Sequence, residues 1–402
     1  MKRWLGWGWV VAVLGASPGV AVSWSVDLRL RSVNNAAAAL QGNQLREDEA
    51  RLRLSTQVSK GRWRLDLLPF VVVTQRVSDP GLRRSAYADM LALLLSYRIS
   101  DLWRVGIGRR QLRWGNERLL GTLNWHAIPR SFDGVFLEGN VQSWKTLAFA
   151  ARPAARPRWQ GGWRGHALQS DRKQSLLGLG VGYEGSPWHL KSALFRWRKK
   201  PGRDVLLWDL SFSSMPEQGL WLMAEYAHEL GQWSARQAMR AYAWSVQLGW
   251  RMSQMQFSVA YDFGTGGETA GIQRSFVFPF HTNHRHYGEM DLFSWGNLRM
   301  QALRLSRSLG SEVRLRLGLY AFQLANPQGP WLDVTGLHVF AASAPGVTAV
   351  DAGKAIELRC DFPLGSWQVS VFGGWFAAGA AARARGLRNA AASAYLLLKR
   401  SW

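Results

Sequence analysis

Charged and apolar residues alternate along much of the chain. Arg51-Leu52-Arg53-Leu54-Ser55 has a period of two, and Arg62-Trp63-Arg64-Leu65-Asp66 repeats it. The pattern returns in Glu312-Val313-Arg314-Leu315-Arg316-Leu317 and in Ile356-Glu357-Leu358-Arg359-Cys360-Asp361. A period of two is that of a β-strand, whose successive side chains point to opposite faces. Read this way, strands are expected at 25–33, 50–58, 61–73, 87–98, 102–110, 132–140, 144–150, 174–184, 188–198 and 204–213. They continue at 219–228, 238–250, 254–263, 298–306, 312–322, 355–361, 366–373 and 390–402.

A soluble sheet shows the same period, so the links and the strand ends have to decide. Short links fall at 59–60, 99–101, 141–143, 185–187 and 251–253. Long ones fall at 34–49, 74–86, 111–131, 151–173, 264–297 and 323–354. Outer-membrane barrels have short periplasmic turns, long external loops and an even number of strands. Trp103, Trp144, Tyr183, Trp197, Trp221, Trp250, Tyr261 and Trp402 stand at or near strand ends. Amphipathic rings gather at membrane–water boundaries. The expected fold is all-β: a transmembrane antiparallel β-barrel of about 18 strands, with 16 as the alternative, wide enough for an aqueous channel.

Composition sharpens this picture. Lys2 and Arg3 precede a short apolar stretch at 4–15, and Ala21-Val22-Ser23 fits a small-x-small cleavage rule. The expected division is a signal peptide at 1–23 and an outer-membrane barrel at 24–402, placing the protein in the bacterial outer membrane. After Ser23 no apolar run reaches the ~18 residues of a spanning helix. The formal net charge is +23, mostly from Arg, and the 402 residues include 23 Trp. The single cysteine, Cys360, allows no internal disulfide and reads as a small strand residue.

Residues 108–135, GRRQLRWGNERLLGTLNWHAIPRSFDGV, resemble a motif of the alginate-export family of outer-membrane porins. Gly108, Arg109, Gly115, Arg118, Leu119, Trp125, Arg130, Phe132 and Asp133 carry the match, while Arg110 stands where that family commonly has Gln. Residues 276–298 resemble its His-x-x-x-Gly-x-x-Asp block through His284, Gly288 and Asp291. Residues 355–380 resemble its acidic strand and Gly-rich hairpin through Glu357, Asp361, Gly373 and Gly379. The resemblance implies an 18-strand barrel, a monomer, through which acidic polysaccharide leaves the periplasm.

Alternation sets Arg29, Arg31, Arg51, Arg53, Arg62, Arg64, Arg104, Arg314, Arg316 and Arg359 opposite the apolar face. On a barrel that face is the lumen, because a basic side chain at the lipid midplane costs ~2–4 kcal/mol. Guanidinium groups lining a channel concentrate anions, and each offers a flat two-pronged donor to a carboxylate. Asp27, Asp66, Glu312, Glu357 and Asp361 share these faces and are expected to orient the arginines and weaken their grip; cross-strand ion pairs with a purely structural role are the alternative. Arg109, Arg118, Arg130 and Asp133 surround a long loop. They form either a constriction or an anchor that pins Phe132 at the rim. His281, His284 and His286 read as a polar loop rather than a metal site, since no Asp, Glu or Cys accompanies them at ligand spacing. No metal and no cofactor are expected. Arg383, Arg385 and Arg388 form a solvated basic loop or meet lipopolysaccharide phosphates.

These readings favour an anion-selective channel for an acidic, alginate-like polysaccharide, not an enzyme. Its expected partners are the polymer, outer-membrane lipid with lipopolysaccharide, and periplasmic secretion machinery. One alternative is a porin for small anions such as sugar acids. An outer-membrane lipid-modifying enzyme would need a Ser or Thr nucleophile beside His and a carboxylate, and no Gly-x-Ser-x-Gly elbow is present. A nucleic-acid or polyanion binder would gather its cations in one exposed patch. Here they recur every second residue along many strands.

Overall fold

Every alternating segment is a strand in the computed structural model, which describes residues 19–78, 81–155, 162–165, 169–336, 339–342, 344 and 346–402. The strands are Val20–Asn34 (β1), Leu45–Lys60 (β2), Trp63–Ser78 (β3), Gly81–Arg98 (β4), Trp103–Arg110 (β5) and Phe132–Val141 (β6). Next come Trp144–Pro153 (β7), Gln174–Glu184 (β8), Trp188–Lys199 (β9), Arg203–Ser214 (β10), Gly219–Ser234 (β11) and Gln237–Arg251 (β12). Met255–Gly264 (β13), Leu298–Leu309 (β14), Val313–Gln323 (β15), Asp351–Leu364 (β16), Trp367–Ala378 (β17) and Ala390–Ser401 (β18) complete the wall, and short strands of two to four residues lie in the long loops. Each wall strand pairs antiparallel with its chain neighbours, and β1 pairs with β18 from Asp27 opposite Ser401 to Val33 opposite Tyr395. The sheet is thus a closed 18-strand barrel without a free edge. Among the described residues, no helix is long and apolar enough to cross a membrane.

Alternation is visible in the wall. On β8 Leu177, Leu179 and Val181 are exposed on the outside, while Gly178, Gly180 and Gly182 face in. Trp24, Trp63, Trp144, Trp188, Trp250 and Trp402 stand exposed at the short-turn end as an aromatic girdle. Trp63 meets Tyr97 at 4.7 Å between ring centres, and Trp144 meets Tyr183 at 5.4 Å. Trp197 and Trp221 depart from the girdle expectation: both turn inward and are buried, because their strand parity puts them on the lumen face. A bulge at Leu68/Pro69 shifts the β3–β4 register. Proline cannot donate to a ladder, so a bulge accommodates it.

Two expectations about links need correction. The stretch 74–86 is not a loop: β3 and β4 run on to Ser78 and Gly81, joined only by residues 79–80. Polar pairs knit this extension together, with Arg84 donating to Gln75 at 3.0 Å and Arg76 to Glu47 at 2.7 Å. The short–long rhythm is also not strict, since 200–202 and 235–236 are tight hairpins at the long-loop end. At the N-terminus, Val20–Ser23 pair with Gln57–Lys60, so the expected cleavage point lies within β1. Residues 1–18 of the expected signal peptide lie outside the described residues.

Candidate functional site: a plugged, arginine-rich lumen

Loops 111–131 and 265–297 and the described residues of loop 324–350 turn into the barrel and pack as one plug. Their apolar residues meet inward rings of the wall: Phe278 on Phe195 at 5.7 Å, and Phe293 on Phe322 at 4.1 Å. Gly180 leaves space on the wall for the Trp114 ring. The first two loops bond to each other, with Gly121 N–H donating to Phe280 O at 2.8 Å and Thr282 N–H to Glu117 O at 2.9 Å. Trp331 of the third loop donates its indole N–H to Leu292 O at 3.0 Å. A core built this way positions side chains far more rigidly than free loops do.

Charged groups fasten the plug to the wall. Arg118 reaches Asp262 at 2.6 Å and Glu225 at 3.2 Å, and donates to the Tyr287 hydroxyl at 2.9 Å. Burial opposes its charge, but these carboxylates hold the guanidinium above its ordinary pKa. Glu229 accepts from Val277 N–H at 3.0 Å. Glu357 accepts from Glu289 N–H at 3.0 Å and Met290 N–H at 3.2 Å. Gly288, at φ +91°, makes that approach possible, since a Cβ there would sit 2.6 Å from a Glu357 oxygen. Arg109 is almost fully buried between Asp89 (3.0 Å) and Asp133 (2.5 Å). Gly108, at φ +130°, permits the local twist that places Ile107 outside and Arg109 inside.

The sequence-expected residues fall into distinct places. Arg29, Arg31, Arg51 and Arg53 form one inward strip that grips the backbone of 124–126. Arg29 donates to Asn124 O at 2.6 Å, Arg31 to Trp125 O at 2.8 Å and Arg51 to His126 O at 3.0 Å. Arg53 reaches the Asn124 side chain at 2.9 Å, and buried Glu49 pairs with Arg29 and Arg31. Arg130 lies within the plug rather than on the wall, donating to the carbonyls of Pro279 and His281. With Arg109 and Asp133 it anchors loops beside the fully buried Phe132. Arg314, Arg316, Arg359, Glu357 and Asp361 gather on β15 and β16, with Arg316 at 3.3 Å and Arg359 at 2.8 Å from Asp361. Arg104 faces Glu138 across β5 and β6. Arg64 pairs with Asp66 at 2.7 Å, and Asp27 accepts from Ser401. Arg62 and Glu312 stand apart, exposed in the turns after β2 and β14 rather than on the wall.

Two chambers open on the short-turn side of the plug. One, of 830 Å³, is bordered by Arg110, Arg113, Lys145, Lys191 and Arg285, with Glu117, Glu138 and Glu184 among them. The other, of 300 Å³, has Arg304, Arg314, Arg316 and Arg359 beside Glu289 and Glu357. Arg285 borders both; its side chain is 63% exposed and stands 3.8 Å from Glu117. Sequence reasoning missed Arg110, Arg113, Arg285, Arg304, Lys145 and Lys191. The Leu303-Arg304-Leu305 alternation would have given Arg304, but nothing local marks the loop arginines. On the long-loop side a cavity of 280 Å³ lies between β1, β2 and the plug, with Arg31, Arg76, Trp125 and Asp291. Trp125 is stacked on His284 at 3.8 Å and donates to Asp291 at 2.9 Å. Burial works against the Asp291 charge, yet His284 and Trp125 hold its carboxyl below the usual range. Among the described residues, no cluster of His, Cys, Asp and Glu could hold a metal. Two of the last-loop arginines tie loops together, Arg385 donating to Gly329 O and Arg388 to Gly42 O, while Arg383 donates to Ala378 O at the end of β17.

A closed barrel with an apolar outside, an aromatic girdle and a charged, loop-plugged interior is an outer-membrane channel. The family model described as Alginate export matches residues 72–395, and the chain belongs to that family. Comparison with curated proteins gives no match. Solved structures from Pseudomonas aeruginosa share the fold at low identity. OccK5 (OpdH) is 10% identical with a TM-score of 0.64, covering 94% of this chain and 97% of that one. OccK2 (OpdF) is 12% identical with a TM-score of 0.65 and the same coverage. OccK2 in complex with glucuronate is 12% identical with a TM-score of 0.64, covering 96% of this chain and 98% of that one.

Proposed function

We propose that this channel passes an acidic, alginate-like polysaccharide outward through its arginine-bearing lumen. The observation that carries the reading is the pair of cationic chambers, both bordered by Arg285, on the short-turn, periplasmic side. A uronate polymer presents a carboxylate on each sugar, so successive guanidinium stations suit it. A lone Arg–carboxylate contact near 4 Å is worth ~4 kcal/mol at an effective dielectric of 20, which would retain the polymer. Glu117, Glu138, Glu184 and Asp361 stand among the cations and reduce that grip, as conduction by hand-over requires. In this reading Arg314, Arg316 and Arg359 meet solute, whereas Arg29, Arg31, Arg51 and Arg53 fix the plug that narrows the path.

A second reading, a porin for small anions such as sugar acids, is favoured by the size of the chambers. At 830 and 300 Å³ they suit a few sugars at a time. The OccK2 structure with glucuronate supports the same class of solute. Planar-bilayer recordings with glucuronate and with defined uronate oligomers separate the two. Anion-selective currents blocked by oligomers, together with oligomer release from proteoliposomes, are expected for the first reading. Free passage of the monosaccharide with no oligomer block supports the second, and cation selectivity removes both.

A further inference from the structure

A charged band lies on the outer face of the barrel, apart from the lumen. On β9 the residues Ala193, Phe195 and Trp197 are buried against the interior, so Arg196 and Arg198 point outward. On β12 the buried Met239, Ala241 and Ala243 place Arg240 outward in the same way. The pairing aligns Arg196, Leu206, Leu230 and Arg240 in one row across β9 to β12. The row two residues nearer the membrane centre is Leu194, Trp208, His228 and Tyr242, and its leucine, tryptophan and tyrosine are exposed. Tyr226 extends this aromatic belt, 5.8 Å from Trp208 and 6.4 Å from Tyr242 between ring centres. Lys200 and Arg236 lie exposed in the tight hairpins just above. Asp204 bridges Arg196 (2.7 Å) and Arg198 (3.0 Å), which orients the two guanidinium groups and leaves one of their charges uncompensated.

We propose that this face binds the phosphorylated headgroup of lipopolysaccharide, with the cation row on the phosphates and the aromatic row against the acyl chains. Rings of this kind sit at headgroup level, so cations one step above meet the anionic layer. The long-loop end faces outward in an outer membrane, where that lipid resides. Strands spaced ~4.8 Å apart put the Arg196 and Arg240 stations ~14 Å apart, which suits a disaccharide bearing a phosphate at each end. The leucines between the stations keep the middle of the row apolar, so charge recognition falls at its two ends. This site stands independently of the solute the channel carries.

The test is native mass spectrometry of the full barrel, in detergent, with diphosphorylated lipid A, its dephosphorylated form and phosphatidylglycerol. Wild type is expected to retain the diphosphorylated form, and the other two weakly. The triple variant R196Q/R198Q/R240Q should lose about tenfold or more of that retention. Heat-modifiable gel migration checks that the variant is folded; if it is not, R240Q alone is read in its place, expecting a smaller loss in the same direction. Equal retention by a folded variant, equal retention of dephosphorylated lipid A or phosphatidylglycerol, or no retention by wild type overturns the proposal.

Discussion

Arg118→Met isolates the force that keeps the plug in the lumen. Arg118 projects from loop 111–131 into the wall of β11 and β13, where Glu225 and Asp262 are its counter-charges, and it also donates to Tyr287 of the neighbouring plug loop. Asp209 is buried beside them, with one carboxylate oxygen lacking any hydrogen-bond partner. Removing the cation leaves acidic groups sealed in apolar surroundings, and breaking one side of a buried pair costs ~3–5 kcal/mol. The methionine stem preserves most of the packing on Trp295, so charge rather than volume dominates. Loop withdrawal rehydrates the carboxylates and relieves the penalty. Even ~3 kcal/mol moves the seated-to-withdrawn ratio about a hundredfold. Single-channel recording should show larger, noisier openings and a weaker anion preference, with heat-modifiable migration unchanged. Adding Glu225→Gln and Asp262→Asn removes the stranded charge and should restore much of the quiet state. An Arg118→Met channel with wild-type conductance and noise in an intact barrel would refute this account of plug retention.

Arg314→Gln with Arg316→Gln should lower the chloride-to-potassium permeability ratio while leaving unfolding within ~0.5 kcal/mol of wild type, because both side chains are partly solvated and only Arg316 has a carboxylate partner. Glu357→Ala strips the acceptor from Glu289 and Met290 N–H, at ~1–3 kcal/mol for each buried donor left unmade. It should lower the urea midpoint, with Glu357→Gln losing less because one acceptor oxygen remains. His286, in loop 265–297, is held well below its usual pKa by burial and by Arg118, Arg285 and Arg304. The neutral ring is therefore the form the folded plug favours: its contribution is complete above about 6.5, the free-imidazole value, and is lost as pH falls below it. Current noise should rise on acidification through that range, and His286→Gln should flatten the rise.

The wall was legible because a barrel imposes one rule on every strand: polar inward, apolar outward, period two. All the strands named from alternation are present. Arg314, Arg316 and Arg359 gather on neighbouring strands as that rule implies. The rule says nothing about what fills the interior, and there the reading thins out. Arg29 and Arg51 lie on the inward face as expected, and Arg29 pairs with Glu49 of the adjacent strand, yet both also donate to carbonyls about 95 and 75 residues away. Arg285 and Arg113 sit on loops without periodicity, so only tertiary packing reveals that they border chambers. The misread stretch 74–86 has a related cause. Its polar outward residues suggested a loop, but a strand that rises past the lipid carries polar side chains on both faces.

The basic excess of this chain therefore serves separate ends, and the physics distinguishes them by burial. Arg29, Arg31, Arg51 and Arg118 are nearly sealed from solvent, and each donates to plug carbonyls or to wall carboxylates. Such groups cannot also hand a solute along, because releasing a plug acceptor would strand a buried charge. Arg285 and Arg314 remain open to the chamber water, where an exposed ion pair is worth at most ~1 kcal/mol and exchanges readily. On the proposed reading, selectivity resides in the loosely held cations and pore width in the tightly held ones. Such a separation would let one family of side chains set both properties without a strong site that would stop the flow.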